Sequence, residues 1–128
     1  MATIDITEKN IREVIDAKGI VFLDFWAEWC GPCKSFAPVY SAASEANPDI
    51  VFGKVNTEIA TQLATAAGIQ AIPTLMVFRD STVVFSQAGA LPTPALAELI
   101  SEIRSLDMDA IRAAASAHPD GNRHIHRG

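Results

Sequence analysis

A chain of 128 residues is long enough for one domain with a sizeable core and too short for two ordinary ones. Its hydrophobic fraction of 49% is that of a compact globule, and it has no run of about 18 apolar residues to make a transmembrane helix. A formal net charge of −5 argues against a nucleic-acid backbone or an anionic membrane as the main partner.

In chain order, Met1-Ala2-Thr3-Ile4-Asp5 carries neither a basic stretch nor a continuous apolar run, so no secretion signal is read there and a cytoplasmic protein is expected. Ile4-Asp5-Ile6 predicts a short edge strand, and Thr7 an N-cap, because its hydroxyl can accept a first-turn N–H. Ile11, Val14 and Ile15 form a helical stripe that ends at Gly19, where a left-handed cap belongs. Ile20 to Trp26 is almost continuously apolar, which predicts a central strand covered on both faces. Cys30 to about Ala46 predicts a helix, kinked at Pro38 and stopped by Asn47-Pro48-Asp49.

Ile50 to Val55 predicts a second buried strand, and Glu58 to Ala67 an Ala/Thr-rich helix closed by Gly68. Leu75–Phe78 and Thr82–Phe85 flank a polar turn at Asp80-Ser81, which suggests an antiparallel hairpin. Leu96, Leu99, Ile100, Ile103 and Leu106 mark the inner face of a final helix. The order β-α-β-α-β-α-β-β-α implies an α/β fold with one mixed sheet between helices. Composition changes after Leu106, so residues 1–106 are read as the domain and 107–128 as an extension, helical to about Ala117 and then disordered.

The chemistry is concentrated in Trp29-Cys30-Gly31-Pro32-Cys33-Lys34, at the junction of a buried strand and a helix. Two intervening residues let both sulfurs meet across the first helical turn, so a disulfide can open and close with little backbone movement. Unpaired N–H groups and the positive end of the helix dipole favour a Cys30 thiolate. Pro32 fits a first turn that has no use for its missing N–H. Cys30, nearer the exposed end, would attack a substrate disulfide, and Cys33, one turn deeper, would resolve the mixed disulfide. The competing reading is a zinc half-site, but zinc takes four ligands. The chain has only two cysteines, and His118, His124 and His126 all lie in the tail. Asp24 interrupts the apolar strand, and burial of its carboxylate should raise its pKa into the range of proton transfer.

Phe22 to Lys34 resembles the active-site segment of the thioredoxin family nearly residue for residue. The resemblance extends to Ala37-Pro38, Lys54-Val55-Asn56, Ile72-Pro73-Thr74-Leu75 and Gly89-Ala90, and covers residues 4–106. It implies a thioredoxin fold, a central mixed five-stranded sheet flanked by four helices. It also implies that Asp24 deprotonates Cys33, that Lys54 lies beside Asp24, and that Pro73 is cis and faces the cysteines. Trp29, Gly31, Pro32, Ile72, Gly89 and Ala90 would form a flat apolar docking face, with the backbone at Pro73 pairing with extended substrate. Trp26 is read as a packing residue.

The Gly31-Pro32 dipeptide matches the reducing members of the superfamily. The resemblance therefore implies a reductant of disulfide-containing client proteins, with no bound cofactor, using NADPH indirectly through thioredoxin reductase; a monomer is the default expectation. Competing readings are a redox partner dedicated to one client, an isomerase, or an interaction module with secondary redox activity. Thr57 departs from the family's usual apolar residue, which predicts a more polar docking edge. Asp80-Ser81 replaces the usual Asn-Gly type of turn, which puts the turn class in question. The three tail histidines are read as solvated and not as metal ligands.

Overall fold

β2 (Ile20–Trp26) runs through the middle of the molecule, and its side chains alternate between two cores. Phe22 points into one, packed with Phe36, Tyr40 and Phe52, while Val21, Leu23 and Phe25 point into the other. A strand buried on both faces needs helices on both faces, as its continuous apolar run predicts. The computed structural model describes residues 3–17 and 19–117.

The sheet has five strands in the order β1-β3-β2-β4-β5, with β1 (Thr3–Asp5) and β3 (Val51–Asn56) parallel to β2. β4 (Thr74–Arg79) pairs antiparallel with β2 and forms an antiparallel hairpin with β5 (Thr82–Ala88). Helices α2 (Gly31–Ala46) and α4 (Thr93–Arg104) cover the Phe22 face. Helices α1 (Ile11–Asp16) and α3 (Thr61–Ala66) cover the Phe25 face. The expected five-stranded α/β fold with four flanking helices is therefore observed.

Several boundaries differ from expectation, each for a local reason. Thr7 does not cap α1. Its hydroxyl accepts the Lys9 N–H, while Asn10 accepts the Thr7 N–H through Oδ1 and donates through Nδ2 to the Asp5 carbonyl. That side chain locks an intervening turn, and α1 starts only at Ile11. α3 begins at Thr61 and not at Glu58, because Asn56 Oδ1 accepts the Glu58 N–H and folds the chain into a turn first.

Asp80 and Ser81 have φ of 51° and 69°, the left-handed pair that a two-residue type I′ hairpin turn requires. Asp80 Oδ1 also accepts the Gly19 N–H at 3.1 Å, and Ser81 Oγ donates to the Ile15 carbonyl at 3.0 Å, which ties the turn to the α1–β2 connection. At the same pole, Arg79 of β4 donates to the carbonyls of Ile103 and Leu106, satisfying the end of α4. α5 (Met108–Ala117) follows as predicted, with Met108 buried and Arg112 at 3.8 Å from Asp80. The tail predicted to be disordered, with its three histidines, lies outside the described residues.

Candidate active site

β2 leaves the sheet at Trp26, and the chain turns through Ala27–Trp29 into α2. Cys30 is the N-cap of that helix, with extended backbone at φ −89° and ψ 112°. Its Sγ accepts the Cys33 N–H at 3.2 Å, and its carbonyl accepts the Lys34 N–H at 3.2 Å. A sulfur in this position takes up a first-turn N–H that would otherwise lack a partner, and the interaction strengthens as the sulfur gains negative charge. Pro32 lies in the first turn, where it removes no intrahelical bond.

Cys30 and Cys33 are joined by a disulfide, with Cα atoms 5.2 Å apart. Solvent exposure does not separate them: Cys30 is 4% exposed and Cys33 3%. The expected difference between an outer and an inner sulfur therefore reduces to helix position. Cys30 caps, and Cys33 lies within the first turn. Among the described residues, no group of three or more His, Cys, Asp or Glu side chains is arranged to hold a metal ion.

Asp24 lies on the face of β2 that α2 covers, and it is fully buried. Register pairs it with Lys54 on β3, and Lys54 Nζ lies 4.0 Å from Oδ2. Burial drives the carboxyl pKa up from 3.8 to about 6, against a smaller downward pull from the Lys54 ammonium. The same ammonium stands 4.8 Å from the centre of the Trp26 ring. Tyr40, on the buried face of α2, donates its hydroxyl to the Gly53 carbonyl at 2.8 Å. Burial and the Asp24 charge both push the Tyr40 pKa upward, so its hydroxyl stays protonated.

The Ile72–Pro73 peptide is cis, as the resemblance implied. Thr74 pairs with Phe25, so Pro73 sits at the end of the sheet from which β2 runs toward the cysteines. Pro73 itself is buried, and its carbonyl accepts the Gly89 N–H at 2.7 Å. Gly89 has a φ of +111°, which only glycine adopts easily, and it leaves β5 exposed with Ala90 beside it. Gly31 and Pro32 are exposed next to Trp29, whose side chain is 69% exposed.

Between Trp29 and Ile72 lies an open groove floored by Ala64 and Ile69 and edged by Gln70. Thr57 also lines it, and its hydroxyl turns back to the Trp26 carbonyl at 3.2 Å, so the expected polar edge is softened. Trp29 Nε1 donates to Glu58 Oε2 at 3.1 Å. Neither Glu58 nor the α3 side of the groove was apparent from sequence, because both depend on how the β3–α3 turn approaches Trp29.

Comparison with known proteins agrees with this geometry. A family model described as Thioredoxin matches residues 2–102, which leaves α5 beyond the matched segment. The chain is 52% identical over 115 residues to a Streptomyces coelicolor protein provisionally named thioredoxin 2, covering 90% of this chain and 86% of that one. It is 40% identical over 102 residues to thioredoxin 1 of Synechococcus elongatus, covering 79% and 94%. The solved structure of a Plasmodium falciparum thioredoxin superposes with a TM-score of 0.72 at 32% identity, over 78% of this chain and 97% of that one. That of a Malassezia sympodialis thioredoxin gives 0.70 at 31% identity, over 77% and 89%.

Proposed function

The chain belongs to the thioredoxin family, and we propose that it reduces the disulfides of many client proteins and is recharged by thioredoxin reductase. It is a thiol–disulfide oxidoreductase and a protein-disulfide reductase. The observation that carries the reading is the closed Cys30–Cys33 pair at the start of α2.

In the proposed cycle the Cys30 thiolate attacks one sulfur of a client disulfide. The client S–S bond breaks, and its other sulfur leaves as a thiolate that takes a proton from water. Asp24 then removes the Cys33 proton, and the Cys33 thiolate attacks Cys30 Sγ. The second client thiolate departs, and the Cys30–Cys33 disulfide closes. Two electrons have moved from the protein to the client, whose thiolates take their protons from water, while the Cys33 proton stays on Asp24. Lys54 holds Asp24 in a state that can exchange a proton: burial alone would keep it protonated, and the ammonium draws it back toward ionisation.

Trp29, Gly31, Pro32, Ile72, Gly89 and Ala90 would form the docking face, and the peptide at Ile72-Pro73 would pair with an extended client segment. The groove between Trp29 and Ile72 gives that segment a place for an apolar side chain. The protein's own chemistry calls for no bound cofactor, and NADPH enters only through the reductase. We place the reaction in the cytoplasm, where a reducing pool keeps dithiols open, and the working unit is a monomer.

The test is client trapping with Cys33→Ser. The variant should hold mixed disulfides through Cys30 that a small dithiol releases, with many clients recovered. A single recovered client would replace the general reductant with a dedicated partner, and none would remove the reductase reading.

A further inference from the structure

Three buried polar atoms have no hydrogen-bond partner among the described residues: both carboxylate oxygens of Asp24 and Nε1 of Trp26. Two positions apart on β2, these side chains share a face. A buried polar group left unpaired is costly, so such groups take ordered water where room and polar lining allow. Trp26 and Lys54 both line a pocket of about 170 Å³ that Asp5, Thr7 and Asn56 also edge. At about 30 Å³ of liquid volume per water, the pocket has room for a short chain of them.

Strand register sets a charged row from this pocket inward, with Asp5 and Lys54 lining the pocket and Asp24 behind Lys54. Asp5 on edge strand β1 pairs with Lys54, and Lys54 pairs with Asp24. Asp5 is exposed, Lys54 is 20% exposed, and Asp24 is fully buried. On the other side of Asp24 the register neighbour is Leu75, which is buried and apolar. From α2, Tyr40 faces Asp24 with its hydroxyl proton already given to the Gly53 carbonyl. The polar way out of the core therefore runs toward β1.

We infer that this pocket is the proton exit of the buried acid: water held by Trp26 Nε1 and Lys54 carries the proton from Asp24, and the Asp5 carboxylate receives it at the mouth. The inference rests on the proton-transfer role proposed above for Asp24. The balance is simple. The Cys33 thiol proton passes to Asp24, the Cys30–client bond breaks as the Cys30–Cys33 bond forms, and the proton then leaves through water to Asp5 and bulk solvent. No electron moves along the path. Asp5 and Trp26 are positioning residues, since neither touches a reacting sulfur.

The experiment follows one turnover of the reduced protein with an aryl disulfide whose thiol leaves as the thiolate. Thiolate absorbance and a pH-indicator dye are read together in weak buffer. Wild type should release its proton in step with the thiolate. In Asp5→Asn and in Trp26→Phe, which keeps a ring for Lys54, thiolate release should keep its rate while the proton lags several-fold. Asp5→Glu should abolish the lag. Protons that keep pace in both variants overturn the exit path. Asp24→Asn separates the two layers. If it leaves thiolate release unchanged, the acid itself has no role. If it slows thiolate release while the other two variants show no lag, only the exit path is lost.

Discussion

Asp24 sits on a strand otherwise made of apolar side chains, and its pH behaviour can be predicted with its sign. Its carboxyl titrates near 3.8 in the unfolded chain and near 6 in the fold, where burial disfavours the charge more than Lys54 restores it. The fold therefore holds the proton more tightly. Stability is highest below the unfolded pKa, falls as pH rises through the folded one, and is level above it. A shift of this size is on the order of 3 kcal/mol. Asp24→Asn should be more stable than wild type by up to about that much at roughly pH 8, with the gap closing as pH falls toward 4, measured by denaturant unfolding. A constant gap would show that the carboxyl is not desolvated. Trp29 carries a second prediction. Glu58→Ala removes the acceptor that holds its indole, so KM for protein clients should rise several-fold with kcat nearly kept, and Trp29→Ala should raise it further. Equal losses in both constants would point to a role in the chemistry. The cysteine pair and the interruption at Asp24 were legible in the sequence, because each is a local violation of its surroundings. The Trp29–Glu58 bond and the Thr57 hydroxyl were not, because their partners are 29 and 31 residues away.

β1 is the shortest strand, and what fixes it is the absence of a side chain on its neighbour. A Cβ at Gly53 would stand 2.5 Å from Ile6 Cγ1 and 3.1 Å from Leu23 Cδ2. Gly53→Ala should therefore cost about 1–3 kcal/mol and loosen β1 in particular, seen as faster amide exchange at Ile6, whose N–H is bound to the Lys54 carbonyl. Unchanged exchange would mean that Ile6 yields without effort. The hairpin turn offers a second case. Asp80 tolerates its left-handed backbone and also holds the Gly19 N–H, so Asp80→Ala loses both and should destabilise by about 1–2 kcal/mol. Element types were all readable from hydrophobic period and turn residues. The starts of α1 and α3 were not, because the Asn10 and Asn56 side chains decide them through bonds that periodicity does not register.

Across the whole molecule, the redox end and the α5 end lie at opposite poles of the sheet. β4 begins beside the cysteine-bearing loop and ends at Arg79, where α4 closes and α5 docks through Met108 and Arg112. A chain cut after Leu106 should keep its disulfide chemistry and lose stability, since burial of Met108 is removed and one surface ion pair adds little. A drop of about 4–8 °C in Tm corresponds to each kcal/mol lost in a domain of this size. Loss of activity without loss of fold would place the extension in function. The change of composition after Leu106 was visible in the sequence, but the docking of α5 against the hairpin turn was not, because it depends on where that turn points. The central claim is that this chain reduces protein disulfides through Cys30 and Cys33, and insulin reduction driven by NADPH and thioredoxin reductase tests it most directly. Wild type should turn over many times and consume NADPH, while Cys30→Ser should be inactive. No turnover by wild type, or turnover that survives Cys30→Ser, would contradict the account.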